Sequence, residues 1–131
     1  MDSMLQDDYI LRQIREMVRA VMKMLFQVDV QELTPEILED EETKETLESL
    51  LALMEEGKID EAENRLYDLT SGEEDEDRHN LEAGLLFYYI LNGKDDDFLE
   101  EHDFSREEIM TGIQDLADRY GLSGIAEAFR A

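Results

Sequence analysis

Cysteine is absent from this 131-residue chain, which excludes disulfides, thiolate catalysis and cysteine-ligated metals. Tryptophan is also absent, and proline occurs only at Pro35. With seven glycines and no strand-forming runs, little punctuates the sequence, and apolar residues recur at helical spacing almost throughout. The expected class is all-α, in one domain spanning residues 1–131. No stretch approaches the run of about 20 apolar residues that a membrane span requires. The opening MDSMLQDDY carries acid where a signal peptide needs base. These features lead us to expect a soluble, cytoplasmic protein.

Basic residues are scarce: 12 Lys and Arg stand against 36 Asp and Glu, for a net charge of −24. The imbalance is not uniform. Residues 1–28 hold the acids Asp2, Asp7, Asp8 and Glu16 and the bases Arg12, Arg15, Arg19 and Lys23, and sum to zero. Residues 29–131 therefore carry the entire −24. Nucleic-acid binding through that body is disfavoured, because phosphate contacts need bases to displace counterions.

What is present is organised around Leu50 to Leu69. Leu47, Leu50, Leu51 and Met54 mark one helix face. Gly57 supplies a residue tolerant of the left-handed backbone at a helix end. Asp60 is expected to cap the next helix with Glu63 as its capping-box partner. Ile59, Ala62, Leu66 and Leu69 form the second face. So short a turn sets the two helices side by side. The pattern Gly57-x-Ile59-x-x-Ala62-x-x-x-Leu66-x-x-Leu69 resembles the turn and second helix of a tetratricopeptide repeat. Leu53 stands at that motif's aromatic position, and the match covers about one half-repeat. Thr46 and Ser49 depart from the motif, so a plain αα-hairpin with a glycine turn remains an equal reading.

The rest of the chain follows in order. Asp7 or Asp8 is expected to cap a first helix running to Phe26 (the segment 1–28), with an apolar set from Ile10 to Phe26 wide enough for burial on two sides. Arg12, Arg15, Arg19 and Lys23 share a flank of it. They would pair with the chain's own acids, meet a partner or second copy, or, least favoured, lie on an anionic membrane. Thr34-Pro35 reads as cap and first helical residue of a short element opening the 34–131 body. Glu39 to Glu42 reads as a solvated bend, and Glu73 to Asp77 as an acidic loop or first helical turn. The most apolar helix, Leu81 to Leu91, is expected at the centre, ending at Asn92-Gly93, with Gly84 permitting close approach. Phe98-Leu99 should pin a loop. Ser105-x-x-Glu108 is a capping box, stapled by Phe104 and Ile109, for a helix ending at Gly121. Ser123 would cap a last short helix bearing Ile125, Ala126 and Phe129.

Three segments together resemble an uncharacterised family of small, acidic, all-helical proteins of Gram-positive bacteria. They are Asp8-Tyr9-Ile10-x-Arg12-x-Ile14 through Lys23-Met24-Leu25-Phe26, the Leu50–Leu69 hairpin, and Tyr88-Tyr89 followed by Asn92-Gly93. The resemblance implies a tetratricopeptide-like array of five to seven helices and carries no active residue with it.

Chemistry is sparse. Glu76-x-x-His79 has the spacing of one half of a di-iron site, but His102 lacks a matching carboxylate. The stretches from Ser71 to Glu82 and from Asp95 to Leu99 miss key positions of a calcium loop. There is no phosphate loop or nucleophile elbow. No cofactor and no metal is expected. The reading is a non-enzymatic interaction or scaffold module that binds a protein partner. Its candidate surface is Arg12, Arg15, Arg19 and Lys23, or a concave face lined by Tyr67, Tyr88 and Tyr89. The alternatives are a carboxylate/His metal protein or enzyme, and a homodimer formed through the first helix.

Overall fold

A computed structural model describes residues 2–71, 78–122 and 124. Among them the protein is all-helical, with six α-helices and no strand: α1 (Asp2–Phe26), α2 (Glu41–Glu55), α3 (Ile59–Thr70), α4 (His79–Asn92), α5 (Asp96–Glu101) and α6 (Arg106–Arg119). A three-residue 3-10 turn, Pro35–Ile37, bridges α1 and α2. The acidic run Glu73 to Asp77 and the expected last helix with Ser123, Ile125, Ala126 and Phe129 lie outside the described residues.

α4 is the axis of the fold. Leu81 to Tyr89, Leu91 and Asn92 are all buried, and the helix contacts α1, α2, α3 and α6. A helix apolar on every side has no solvent face to orient it and must be surrounded. Its Gly84 gives the close approach expected of it: a Cβ there would lie 2.7 Å from Leu116 Cδ2. α1 covers α4 and α6 with Ile14, Met17, Val18, Val21 and Met22. The wide apolar set is thus buried on two sides. Asn92 Nδ2 donates to the Leu11 carbonyl at 3.0 Å, tying the end of α4 to α1.

The α2–α3 hairpin forms where its sequence places it. Gly57, at φ +82°, takes the left-handed position after α2. Its N–H reaches Met54 O, and Lys58 N–H reaches Leu53 O, the double bond of a Schellman end. Leu47, Leu50 and Met54 are fully buried against Ile59, Ala62 and Leu66, and Leu51 is half-buried. On α3 it is Thr70 that is buried, while Leu69 is half-exposed.

Several local expectations are corrected. α1 begins at Asp2, so Asp7 and Asp8 lie inside it rather than capping it. No proline or glycine between Asp2 and Asp8 breaks the helix, and acids in its opening turns suit the dipole. Asp60 is not a cap: the Schellman end leaves no spare residue, Lys58 becomes the cap position without a side-chain bond, and α3 starts at Ile59. Thr34 occupies a cap position but makes no side-chain cap bond. Of the run Glu39 to Glu42, only Glu39 and Asp40 form the exposed connection; Glu41 and Glu42 open α2, which Asp40 caps by accepting from Thr43 N–H at 2.9 Å and Thr43 Oγ1 at 2.7 Å. Leu99 is the buried anchor expected, but what it pins is helix α5 rather than a loop, since Asp95 accepts from Phe98 N–H at 2.8 Å. The Ser105 cap is as expected, accepting from Glu108 N–H at 3.2 Å, with Phe104 and Ile109 both buried.

Candidate functional site

The candidate surface residues singled out in the sequence, Tyr89 apart, fall on two faces of the bundle, the groove between α3 and α6 and the flank of α1; a depression of about 320 Å³ between α5 and α6, with Asp96, Glu100, Asp103, Arg106 and Glu108 in its lining, holds none of them.

The groove exists because of two residues on different helices. Tyr88 leaves α4 pointing between α3 and α6, and Gly112 on α6 has no side chain to block it. A Cβ at Gly112 would lie 2.4 Å from the Tyr88 hydroxyl. The buried Tyr88 ring stands edge-on to Phe87, with centroids 5.2 Å apart. Its hydroxyl donates to Glu63 Oε2 at 2.7 Å. Burial, and then the neighbouring Glu63 carboxylate, raise the Tyr88 pKa, so the hydroxyl stays a donor. Burial likewise raises the Glu63 pKa above the ordinary 4.5; the Tyr88 bond opposes this, while Asp60, Glu108 and Asp115 add to it. Glu63 is therefore a partly desolvated carboxyl among acids. Tyr67 is exposed beside it, at 55% of its surface. The Arg119 guanidinium stacks 4.9 Å from the Tyr67 ring centroid and donates from Nε to Thr70 Oγ1 at 3.0 Å. Glu63, Asn64, Tyr67, Tyr88, Asp115 and Arg119, with Gly112, line a depression of about 190 Å³. Its lining is mixed: the Glu63 and Asp115 carboxylates, the Tyr67 and Tyr88 rings, and the Arg119 guanidinium, a cation already held against the Tyr67 ring.

Tyr89 is not in this groove. Its hydroxyl donates at 3.3 Å to Glu32 Oε2, in the connection after α1. Successive residues on a helix diverge by about 100°, which separates Tyr89 from Tyr88. Tyr67 and Tyr88 thus share a concavity that Tyr89 does not line.

The basic flank of α1 is largely engaged with the chain's own acids. Arg15 bonds Glu32 at 2.8 Å, Lys23 approaches Asp29 at 3.5 Å, and Arg19 lies 3.9 Å from Glu16. Arg12 is exposed. Beside this flank stand Tyr9, 52% exposed, and Met24, 55% exposed, with Val30 just beyond the helix.

Among the described residues, neither histidine gathers a metal set. His79 lies 4.0 Å from Glu82, whose pKa burial raises while His79 opposes the shift. The would-be partner Glu76 lies outside the described residues. His102 packs on the hairpin turn, where a Cβ at Gly57 would lie 2.4 Å from its ring, and it stands edge-on to Phe98 at 4.6 Å. Among the described residues no group of three or more His, Asp or Glu side chains could hold a metal ion. No helix of the described residues is long and apolar enough to cross a membrane.

Sequence reasoning missed Gly112, Glu63 as a groove residue, Arg119 and Arg106. Gly112 carried a usable signal: an interior helical glycine costs about 1 kcal/mol against alanine, and so implies a packing reason. Arg106 also carried one, since a base in a first turn opposes the dipole. Glu63 and Arg119 carried none, because their partners are distant in sequence.

No curated protein and no solved structure matches the chain. Residues 4–121 match a family of unknown function, DUF6483. That match spans most of the chain, from the opening turns of α1 to the end of α6, and the protein belongs to this family.

Proposed function

We propose that the protein is a non-enzymatic interaction module that takes a basic segment of a protein partner in the α3–α6 groove. The observation that carries this reading is Tyr67, an exposed aromatic at the lip of a depression whose floor is Tyr88 and whose wall is Glu63. A lysine or arginine entering there would meet a carboxylate lacking a full charge partner and an aromatic face, a combination favourable to cations. The −24 charge would speed the approach of such a partner.

A tetratricopeptide-like build is part of the same proposal. The packing supports it: α2 and α3 form one antiparallel pair, α4 packs on both, and α6 packs on α4 and α3 as the second member of a second pair would. α5 is interposed between them. A bacterial, cytoplasmic setting belongs to this proposal as well.

The test is titration of a lysine-rich peptide and its fully acetylated form onto the wild type and Tyr67→Ala. Bulk charge attraction would bring the basic peptide to both proteins. The proposal expects Tyr67→Ala, which leaves the charge unchanged, to weaken binding about tenfold, or ~1.4 kcal/mol. Equal affinities for the two proteins would leave only non-specific attraction and end the proposal.

A further inference from the structure

The outer strip of α1 carries a second and independent inference. At about 100° per residue, Tyr9, Gln13, Ala20 and Met24 fall within roughly 60° of arc. None of them is charged. Three of the four exposed large hydrophobics among the described residues, Tyr9, Met24 and Val30, lie on this strip or just beyond the end of α1. A shallow groove flanks each end. One, of about 230 Å³, includes Ile10, Gln13 and Met110. The other, of about 210 Å³, sets Ala20, Val28 and Val30 among the charged Glu16, Arg19, Lys23 and Asp29.

Charge selects the occupant. A copy of a −24 chain is repelled by another copy over the acidic body, but residues 1–28 sum to zero. Repulsion is therefore least along this strip, where Asp29 and Glu107 are the body acids that border the grooves, and it is where the exposed apolar residues of α1 lie. Its two apolar ends, Tyr9 and Met24, are separated by about 22 Å at ~1.5 Å rise per residue. A two-fold axis midway between them, beside Glu16, brings the Tyr9 end of one helix to the Met24 end of the other. Ala20, about one turn from the axis, adds little bulk, and Arg19, 3.9 Å from Glu16, offsets the charge at the centre. We infer that the protein self-associates by antiparallel packing of this α1 strip on the same strip of a second copy, with Met24 and Val30 seated in the Ile10–Gln13–Met110 groove. The α3–α6 groove remains open in such a dimer.

The experiment is sedimentation equilibrium of the full chain across the micromolar range, at low and high salt. The expected result is a mass twice 15.3 kDa, with the dimer tighter in high salt, where repulsion between the bodies is screened. Met24→Glu should return the mass to the monomer while retaining its helical circular dichroism. Because the chain has no cysteine, Glu16→Cys should form a disulfide-linked dimer on mild oxidation, whereas Asn64→Cys on α3 should not. A monomer at every concentration in high salt would overturn the inference. So would a dimer indifferent to Met24→Glu, or equal cross-linking through both cysteines.

Discussion

Gly112 and Tyr88 occupy one another's space: the missing side chain on α6 is the volume that the tyrosine ring fills, with only 2.4 Å between the position of a Cβ and the hydroxyl oxygen. The two residues are on different helices, and neither position is explicable without the other. In an open helix, glycine to alanine is stabilising by about 1 kcal/mol. Here the sign should reverse. Gly112→Ala must displace the Tyr88 ring and its bond to Glu63, and it should cost about 1–3 kcal/mol, as overpacking does. Thermal denaturation and the near-ultraviolet tyrosine signal would report it. An unchanged or raised Tm would disprove the interlock.

Glu63 sets a pH dependence of definite sign. Burial raises its pKa above the ordinary 4.5. The folded state therefore binds more protons than the unfolded state between 4.5 and the raised value, and stability falls as pH rises through that window. Glu63→Gln removes this charge and keeps an oxygen for the Tyr88 hydroxyl. The variant should be more stable than wild type at neutral pH, by no more than about 1 kcal/mol because the carboxyl retains solvent contact. The advantage should vanish below the ordinary carboxylate pKa. Denaturant melts at acid and neutral pH read both arms.

Arg106 holds the corner between α4 and α6. It is only 4% exposed, donates to the Lys94 carbonyl at 2.7 Å and the Asn92 carbonyl at 3.3 Å, and pairs with Asp96. Lysine cannot reproduce that forked arrangement. Arg106→Lys should cost about 1–3 kcal/mol through carbonyls left unsatisfied, and faster hydrogen exchange should concentrate in α5.

α1 is structural as well as accessible. Ile14, Met17, Val18 and Met22 are each no more than 1% exposed. Ile14→Ala should cost about 2–5 kcal/mol, whereas Tyr9→Ala, on the outer strip, should stay within about 0.5 kcal/mol. Deleting residues 1–28 removes burial worth about 1.5–3 kcal/mol for each such side chain. The sum rivals the whole stability of a domain this size, and the truncated chain should lose its cooperative melt.

Much of this architecture was legible beforehand, and the reasons are local. Helical spacing located all the long helices. Gly57 fixed the hairpin, Ser105 fixed the start of α6, and the unbroken apolar run at Leu85 to Leu91 put α4 at the centre. The misses share a cause. Asp60 looked like a cap because the sequence does not say that a Schellman end consumes the intervening residue. Asp40 looked like part of a solvated run because one acid in four resembles the others until Thr43 folds onto it. The site was less legible than the fold. Tyr67 and Tyr88 were recognisable as candidates, but Tyr89 was grouped with them because adjacency in sequence conceals divergence around a helix. The Tyr88–Glu63 bond spans 25 residues, and no local pattern announces it.

The bond from Asn92 to the Leu11 carbonyl spans 81 residues, and it has a consequence for how the chain is made. α1 leaves the ribosome before α4 and α6, and its apolar face has nowhere to go until they have followed. For most of synthesis the nascent chain therefore displays Ile14, Met17, Val18 and Met22 without their covering. Contacts of such long sequence separation slow folding, so the hairpin of α2 and α3, built from neighbours, should assemble well before α1 is secured. α1, synthesised well before the helices that cover it, is among the last elements to be locked in place. In that interval its uncovered apolar face is open to chaperones and to premature pairing with another copy.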